Sequence, residues 1–93
     1  MENQKRILVL ARRDHLEAMR VAAGLTIFGH EVRLVFMSRP VTEEIGTSDQ
    51  AELLELAGIE PETTVAEMGE VLPLLDSRQL AEAMTEAQQV VNL

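Results

Sequence analysis

The chain contains no cysteine, which excludes several kinds of chemistry at once. A protein without thiols forms no disulfide, binds no zinc through cysteine and performs no thiol catalysis. Long apolar runs are also missing. Only five apolar residues separate Arg6 from Arg12, too few for the core of a signal peptide or for a membrane span. We therefore expect a cytoplasmic protein that does not enter a membrane.

Aromatic residues are almost absent, since Phe28 and Phe36 are the only two in 93 residues. The core must therefore be built from leucine, valine, isoleucine, alanine and methionine. A single domain over residues 1–93 is predicted by this length. A parallel sheet needs cover on both faces, and the three short helices predicted below supply little of it. We therefore expect association into a homo-oligomer or with sibling subunits.

Positive charge is scarce in the second half of the chain. Residues 1–40 carry seven bases and four acids, whereas residues 41–93 carry one base and twelve acids, within a net charge of −8. An acidic surface repels nucleic acid and anionic lipid, so neither is an expected partner. Two interpretations stay open. The acidic half is a solvated face, or it recruits a basic partner or the basic half of another subunit.

Hydrophobic periodicity predicts strand, helix and strand in the first forty residues. Residues 7–11 and 31–37 are apolar runs, and residues 14–28 between them have helical spacing. Such a βαβ unit has parallel strands. Further helices near residues 47–57 and 76–87, a short strand at 63–66 and a closing strand at 89–93 complete the order β-α-β-α-β-α-β. The fold class is α/β, three layers with about four mostly parallel strands and flavodoxin- or Rossmann-like βαβ units.

Local signals refine these boundaries. Capping pairs are predicted at three helix starts: Asp14 with Glu17, Thr47 with Gln50, and Asp76 with Gln79. Residues 69–75 are predicted to form a loop or a single turn. In the first helix the expected buried stripe is Leu16, Met19, Ala23 and Ile27, widened by Ala22 and Thr26. Gly24 within that helix suggests a close approach to the sheet.

Polar residues follow the first two predicted strands. Arg12, Arg13 and His15 follow the first strand, and Ser38 and Arg39 follow the second. Both loops leave the same edge of a parallel sheet, where open α/β folds place their sites. Guanidinium groups and helix N-terminal amides bind phosphate, sulfate or a sulfur oxyanion. We predict a small-anion site formed by these five residues, and the alternative is that their side chains are solvated or pair with acids of another subunit.

Catalytic and cofactor signals are weak. His15 is a candidate acid–base group beside Asp14, whereas His30 suits a turn at the helix end, and the two lie too far apart to share a metal ion. Residues 24–29 have the glycine spacing of a phosphate loop, but His30 and Glu31 replace its lysine and hydroxyl residue. No dinucleotide fingerprint is present. We expect no metal and no cofactor.

Two segments resemble the DsrE/DsrF/TusD-like family of sulfur-relay proteins. Residues 18–25, Ala-Met-Arg-Val-Ala-Ala-Gly-Leu, with Phe28-Gly29-His30-Glu31-Val32 resemble its first βαβ unit. Residues 80–84 and 87–93 resemble its last helix and strand. The resemblance implies a cytoplasmic α/β/α subunit that forms dimers, trimers or hexamers and passes persulfide sulfur between cysteines.

The acceptor cysteine implied by this resemblance would fall near Val65 to Met68, where the chain has Val-Ala-Glu-Met. A persulfide carrier needs a thiolate, so sulfur transfer is not expected. The leading hypothesis is a non-catalytic DsrE-like subunit with a binding or assembly role and a small-anion site. Two alternatives stay open, a small enzyme using His15 and an interaction module using its acidic half.

Overall fold

The computed structural model describes residues 4–93 as alternating strands and helices. The strands are β1 (Arg6–Ala11), β2 (Glu31–Phe36), β3 (Glu62–Thr63) and β4 (Gln89–Asn92). The helices are α1 (His15–Ile27), α2 (Glu43–Gly46), α3 (Asp49–Ala57) and α4 (Ser77–Glu86), with one 3₁₀ turn at Ala66–Met68.

The four strands form one parallel sheet in the order β3-β2-β1-β4. In its centre Leu8 of β1 lies beside Arg33 of β2 on one side and Val90 of β4 on the other. The predicted α/β class with a small parallel sheet is confirmed. The chain places β2 and then β3 on one side of β1, whereas β4 pairs with the other side of β1. The strand order therefore reverses at the β1–β4 junction.

Each face of the sheet has its own apolar core, because side chains alternate along a strand. Ile7, Val9 and Ala11 point to the face covered by α1 and α3. Leu8 and Leu10 point to the opposite face, which α4 covers with Leu75 and Ala83. Helices α1 and α3 therefore cover one face, with Ile45 of α2 packed beside them, and α4 covers the other face.

Helices α1 and α4 have the predicted N-cap residues, whereas the N-cap of α3 is displaced by one residue. The Asp14 carboxylate accepts a hydrogen bond from the Glu17 amide at 3.0 Å, but the Glu17 side chain bonds Arg20 instead of completing the box. The capping box of Asp76 and Gln79 is complete, with bonds of 2.8 and 2.9 Å.

The predicted cap at Thr47 is wrong by one residue. Ser48 caps α3 by accepting from the Ala51 amide, whereas Thr47 closes the unpredicted helix α2 and its hydroxyl donates to the Glu43 carbonyl. Both hydroxyls donate to carbonyls of α2, and the Ser48 oxygen is the one that accepts from the first turn of α3.

The third strand is shorter than predicted. It ends at Thr63, because the Thr63 hydroxyl accepts from the Val65 amide and turns the chain into the 3₁₀ turn. Residues 69–75 form mostly turn, as predicted, although Leu74 makes an isolated parallel bridge with Thr63.

The predicted stripe on α1 is rotated in the structure. Ile27 is 75% exposed and Leu16 is also exposed, while the buried residues are His15, Ala18, Met19, Ala22 and Ala23. The small alanines of α1 therefore face the sheet, and the His15 side chain is buried under the first turn of the helix. The close approach expected at Gly24 is also wrong, since a Cβ built there meets no atom within 4 Å.

Candidate functional site

A crevice opens at the carboxyl ends of β1 and β4. β1 continues into α1 on one face of the sheet, whereas β4 is reached from α4 on the other face. Open α/β sheets bind ligands at the carboxyl ends of their strands, at the point where the strand order reverses. The crevice has a volume of about 650 Å³. Its lining consists of Arg12, Arg13, Asp14, Glu17, Ser38, Asn92 and Leu93.

Backbone hydrogen bonds close the floor of this crevice. The Leu93 carbonyl accepts from the amides of Arg13 and Asp14, at 2.9 and 3.0 Å, and the Leu93 amide donates to the Leu10 carbonyl. Two amides ahead of α1 are therefore already satisfied by the protein. In the first turn of α1 the Glu17 amide is also satisfied, by the Asp14 carboxylate, and the guanidinium groups of Arg12 and Arg13 are the positively charged donors of the crevice.

The side chains of Arg12 and Arg13 are exposed at the crevice. Within residues 4–93, neither guanidinium group forms a salt bridge with an acid. Two acids, Asp14 and Glu17, also line the crevice, and each has another partner. Asp14 caps α1, and Glu17 pairs with Arg20 at 2.6 Å, a hydrogen bond that lowers the pKa of Glu17. The two arginines therefore keep their charge available to a ligand.

Arg39 connects the two loops at this edge. Its Nη2 donates to the Arg13 carbonyl oxygen at 2.5 Å, although Arg39 does not line the crevice. The preceding Ser38 has a φ of 76°, in the left-handed region that a serine rarely occupies. This turn places the Ser38 side chain at the crevice and sends Arg39 across to the first loop.

His15, like Arg39, is a predicted site residue that does not line the crevice. It is 1% exposed, its Nε2 lies 3.3 Å from the Met37 carbonyl oxygen, and its Nδ1 has no hydrogen-bond partner within the described chain. Burial lowers the pKa of His15, and the positive charge of Arg39 lowers it further. The hydrogen bond to Met37 and the negative charge of Asp14 act in the opposite direction and raise the pKa. A neutral imidazole sealed beneath α1 supports the core and does not contact a ligand in the crevice.

Sequence reasoning missed Asn92 and Leu93 as lining residues. A signal for them was present, because the end of a parallel closing strand reaches the same edge as the ends of β1 and β2. The other histidine is remote from this edge, and its Nδ1 accepts a hydrogen bond from the Lys5 amide. From residue 4 onward, no three His, Asp or Glu side chains are placed to hold a metal ion.

The comparisons with known proteins return no match: no family model, no curated protein and no solved structure is similar to this chain. The resemblance to DsrE-like proteins therefore stays a prediction. Among the helices of residues 4–93, none combines the length and the apolar character needed to cross a membrane.

Proposed function

We propose that this protein is a non-catalytic DsrE-like subunit, with a binding and assembly role, that holds a small oxyanion in the crevice between β1 and β4. One observation carries the binding part. Arg12 and Arg13 line this crevice at the sheet's switch point, and neither has an acidic partner within residues 4–93.

The polar lining suits a tetrahedral anion. Two guanidinium groups present several donors in a planar fork, and the Ser38 hydroxyl and the Asn92 amide add neutral donors at the same crevice. Sulfate, phosphate and thiosulfate share this chemistry. The DsrE-like interpretation makes thiosulfate the first ligand to test, because it links the crevice to sulfur relay.

The buried state of His15 supports a binding role over an acid–base enzyme. A general base must come within hydrogen-bond distance of the proton that it removes. His15 is 1% exposed and does not line the crevice. The acid/base alternative therefore has no exposed group at this position.

Thermal and calorimetric titrations with thiosulfate, sulfate and phosphate test the binding role. An anion present at 100 times its Kd stabilises the folded protein by about 2.7 kcal/mol. Arg12→Ala and Arg13→Ala should each weaken binding at least tenfold. Arg78→Ala is the matched control, because Arg78 is exposed on α4 and pairs only with Glu82 among the described residues. Equal stabilisation of all three variants, or none in the unmodified protein, would contradict the proposal.

A further inference from the structure

The outer edge of β4 is an open strand edge without the usual protection. The opposite edge, β3, has only two residues, one of them Glu62. β4 has four residues, and the segment from Ala87 to Leu93 contains no charge and no proline. Natural proteins blunt exposed edges with charge, proline or very short strands, because unpaired amides and carbonyls invite pairing with another strand.

The face of α4 toward this edge is also uncharged. The Glu86 carboxylate lies 3.7 Å from Nη1 of Arg33 on β2, so the flank of α4 that carries Glu82 and Glu86 faces away from β4. Helical periodicity puts three uncharged residues on the opposite flank, toward the open edge of the sheet, while Arg78 and Thr85 point outward between the two flanks. This α4 flank consists of Ser77, Ala81 and Met84.

The other face of the sheet continues the same surface. Glu17 of α1 lines the crevice together with Asn92 of β4, so this side of α1 faces the open edge. Val21 and Phe28 follow Glu17 at helical spacing on that side, and Phe28 is strongly exposed. The one charge in this row, Glu17, is already paired with Arg20.

The charge distribution indicates which partner suits this edge. In a two-fold symmetric interface each residue near the axis meets its own copy, so any charge there meets a like charge. Two copies that each carry a net charge of −8 repel one another at long range. The β4 edge and the α4 flank lack charged residues and therefore permit self-association.

We propose that a second copy of this chain docks on the open edge of β4. The two β4 strands pair in antiparallel orientation about a two-fold axis, and the two α4 flanks pack beside them. A stable interface buries about 800 Å² on each partner, more than a four-residue strand edge offers, so the helix flanks are part of it. This inference rests on the assembly part of the proposed function and is independent of the anion site.

Sedimentation velocity across a concentration series tests this interface, with Met84→Glu as the disrupting variant. Met84 is 44% exposed on the α4 flank, and Leu53, 41% exposed on α3, is the matched control. We expect a dimer whose dissociation constant rises at least tenfold in Met84→Glu and stays unchanged in Leu53→Glu. Circular dichroism checks folding, and Ala81→Glu replaces Met84→Glu if that variant unfolds.

Cross-linking provides a second measurement, because the chain has no cysteine of its own. With a short bismaleimide, Met84→Cys should give a covalent dimer and Leu53→Cys should not. A monomer at every concentration would overturn both this interface and the assembly role, and anion binding would survive. If salt dissociates the dimer and Met84→Glu leaves it intact, the proposed interface alone is overturned. Contact between the acidic and basic halves would then explain the dimer.

Discussion

The imidazole of His15 meets the ring of Phe36 edge-on, with centroids 5.0 Å apart and planes inclined at 65°. This contact joins the first residue of α1 to the last residue of β2 beneath the crevice. Phe36 is itself buried, so the pair forms part of the core that supports both loops of the candidate site. An ionisable ring in this position makes the stability of the fold sensitive to pH.

Folding stability should fall on acidification through the titration of His15. Burial holds the pKa of His15 below its ordinary value, so the unfolded chain binds a proton that the folded protein does not. The free energy of unfolding therefore has its full value above about pH 6.5 and decreases as the pH falls from there toward the lowered pKa. Each unit of lowering corresponds to about 1.4 kcal/mol.

Urea unfolding at several pH values between about 5 and 7 measures this slope. His15→Gln should flatten it. A slope that is identical in the unmodified protein and His15→Gln would assign the pH dependence to other groups.

Thr63→Val should destabilise the fold by about 1–3 kcal/mol. The buried Thr63 hydroxyl donates to the Phe36 carbonyl and accepts from the Val65 amide, both at 3.0 Å. Valine keeps the shape but leaves that amide without its acceptor. Thr64→Val, one residue along the chain, changes a hydroxyl with no hydrogen bond inside the described region and should alter the free energy of unfolding by less than about 0.5 kcal/mol. Equal effects of the two substitutions in chemical denaturation would refute this role.

Gly24→Ala should stabilise the protein by about 1 kcal/mol. Gly24 lies inside α1 with helical backbone geometry and open space around its Cα, so alanine gains helix propensity without a clash. Gly29→Ala is the contrasting variant, because a φ of 94° disfavours any side chain there, and it should lose stability. Denaturation midpoints compare the two, and a loss of stability in Gly24→Ala would show an unseen close contact.

The sequence predicted the parallel sheet because the relevant signals are local. The apolar runs at β1 and β2 and the capping pair of Asp76 with Gln79 each depend on a few neighbouring residues. The order of the elements was also enough to predict that Arg12, Arg13 and Ser38 lie at one edge of the sheet, because the carboxyl ends of parallel strands share an edge.

The errors arose where tertiary contacts decide between equivalent local options. Thr47 and Ser48 are both competent caps, and only the extra helix α2 before them selects Ser48. His15 was expected at the crevice because it follows β1, but its position as the first residue of α1 turns the ring down onto Phe36. Helix rotation of this kind depends on how the alanines of α1 fit the sheet, which periodicity alone does not specify.

The central position of β1 has a consequence for how the chain reaches its native state. One neighbour, β2, follows it closely, but the other is β4, and the bond from the Arg6 amide to the Gln88 side chain spans 82 residues. Closing so long a loop costs conformational entropy before any contact repays it, and nonlocal pairing slows folding. On the ribosome, β1 must wait for residues 89–92 to emerge before β4 can pair with its second edge.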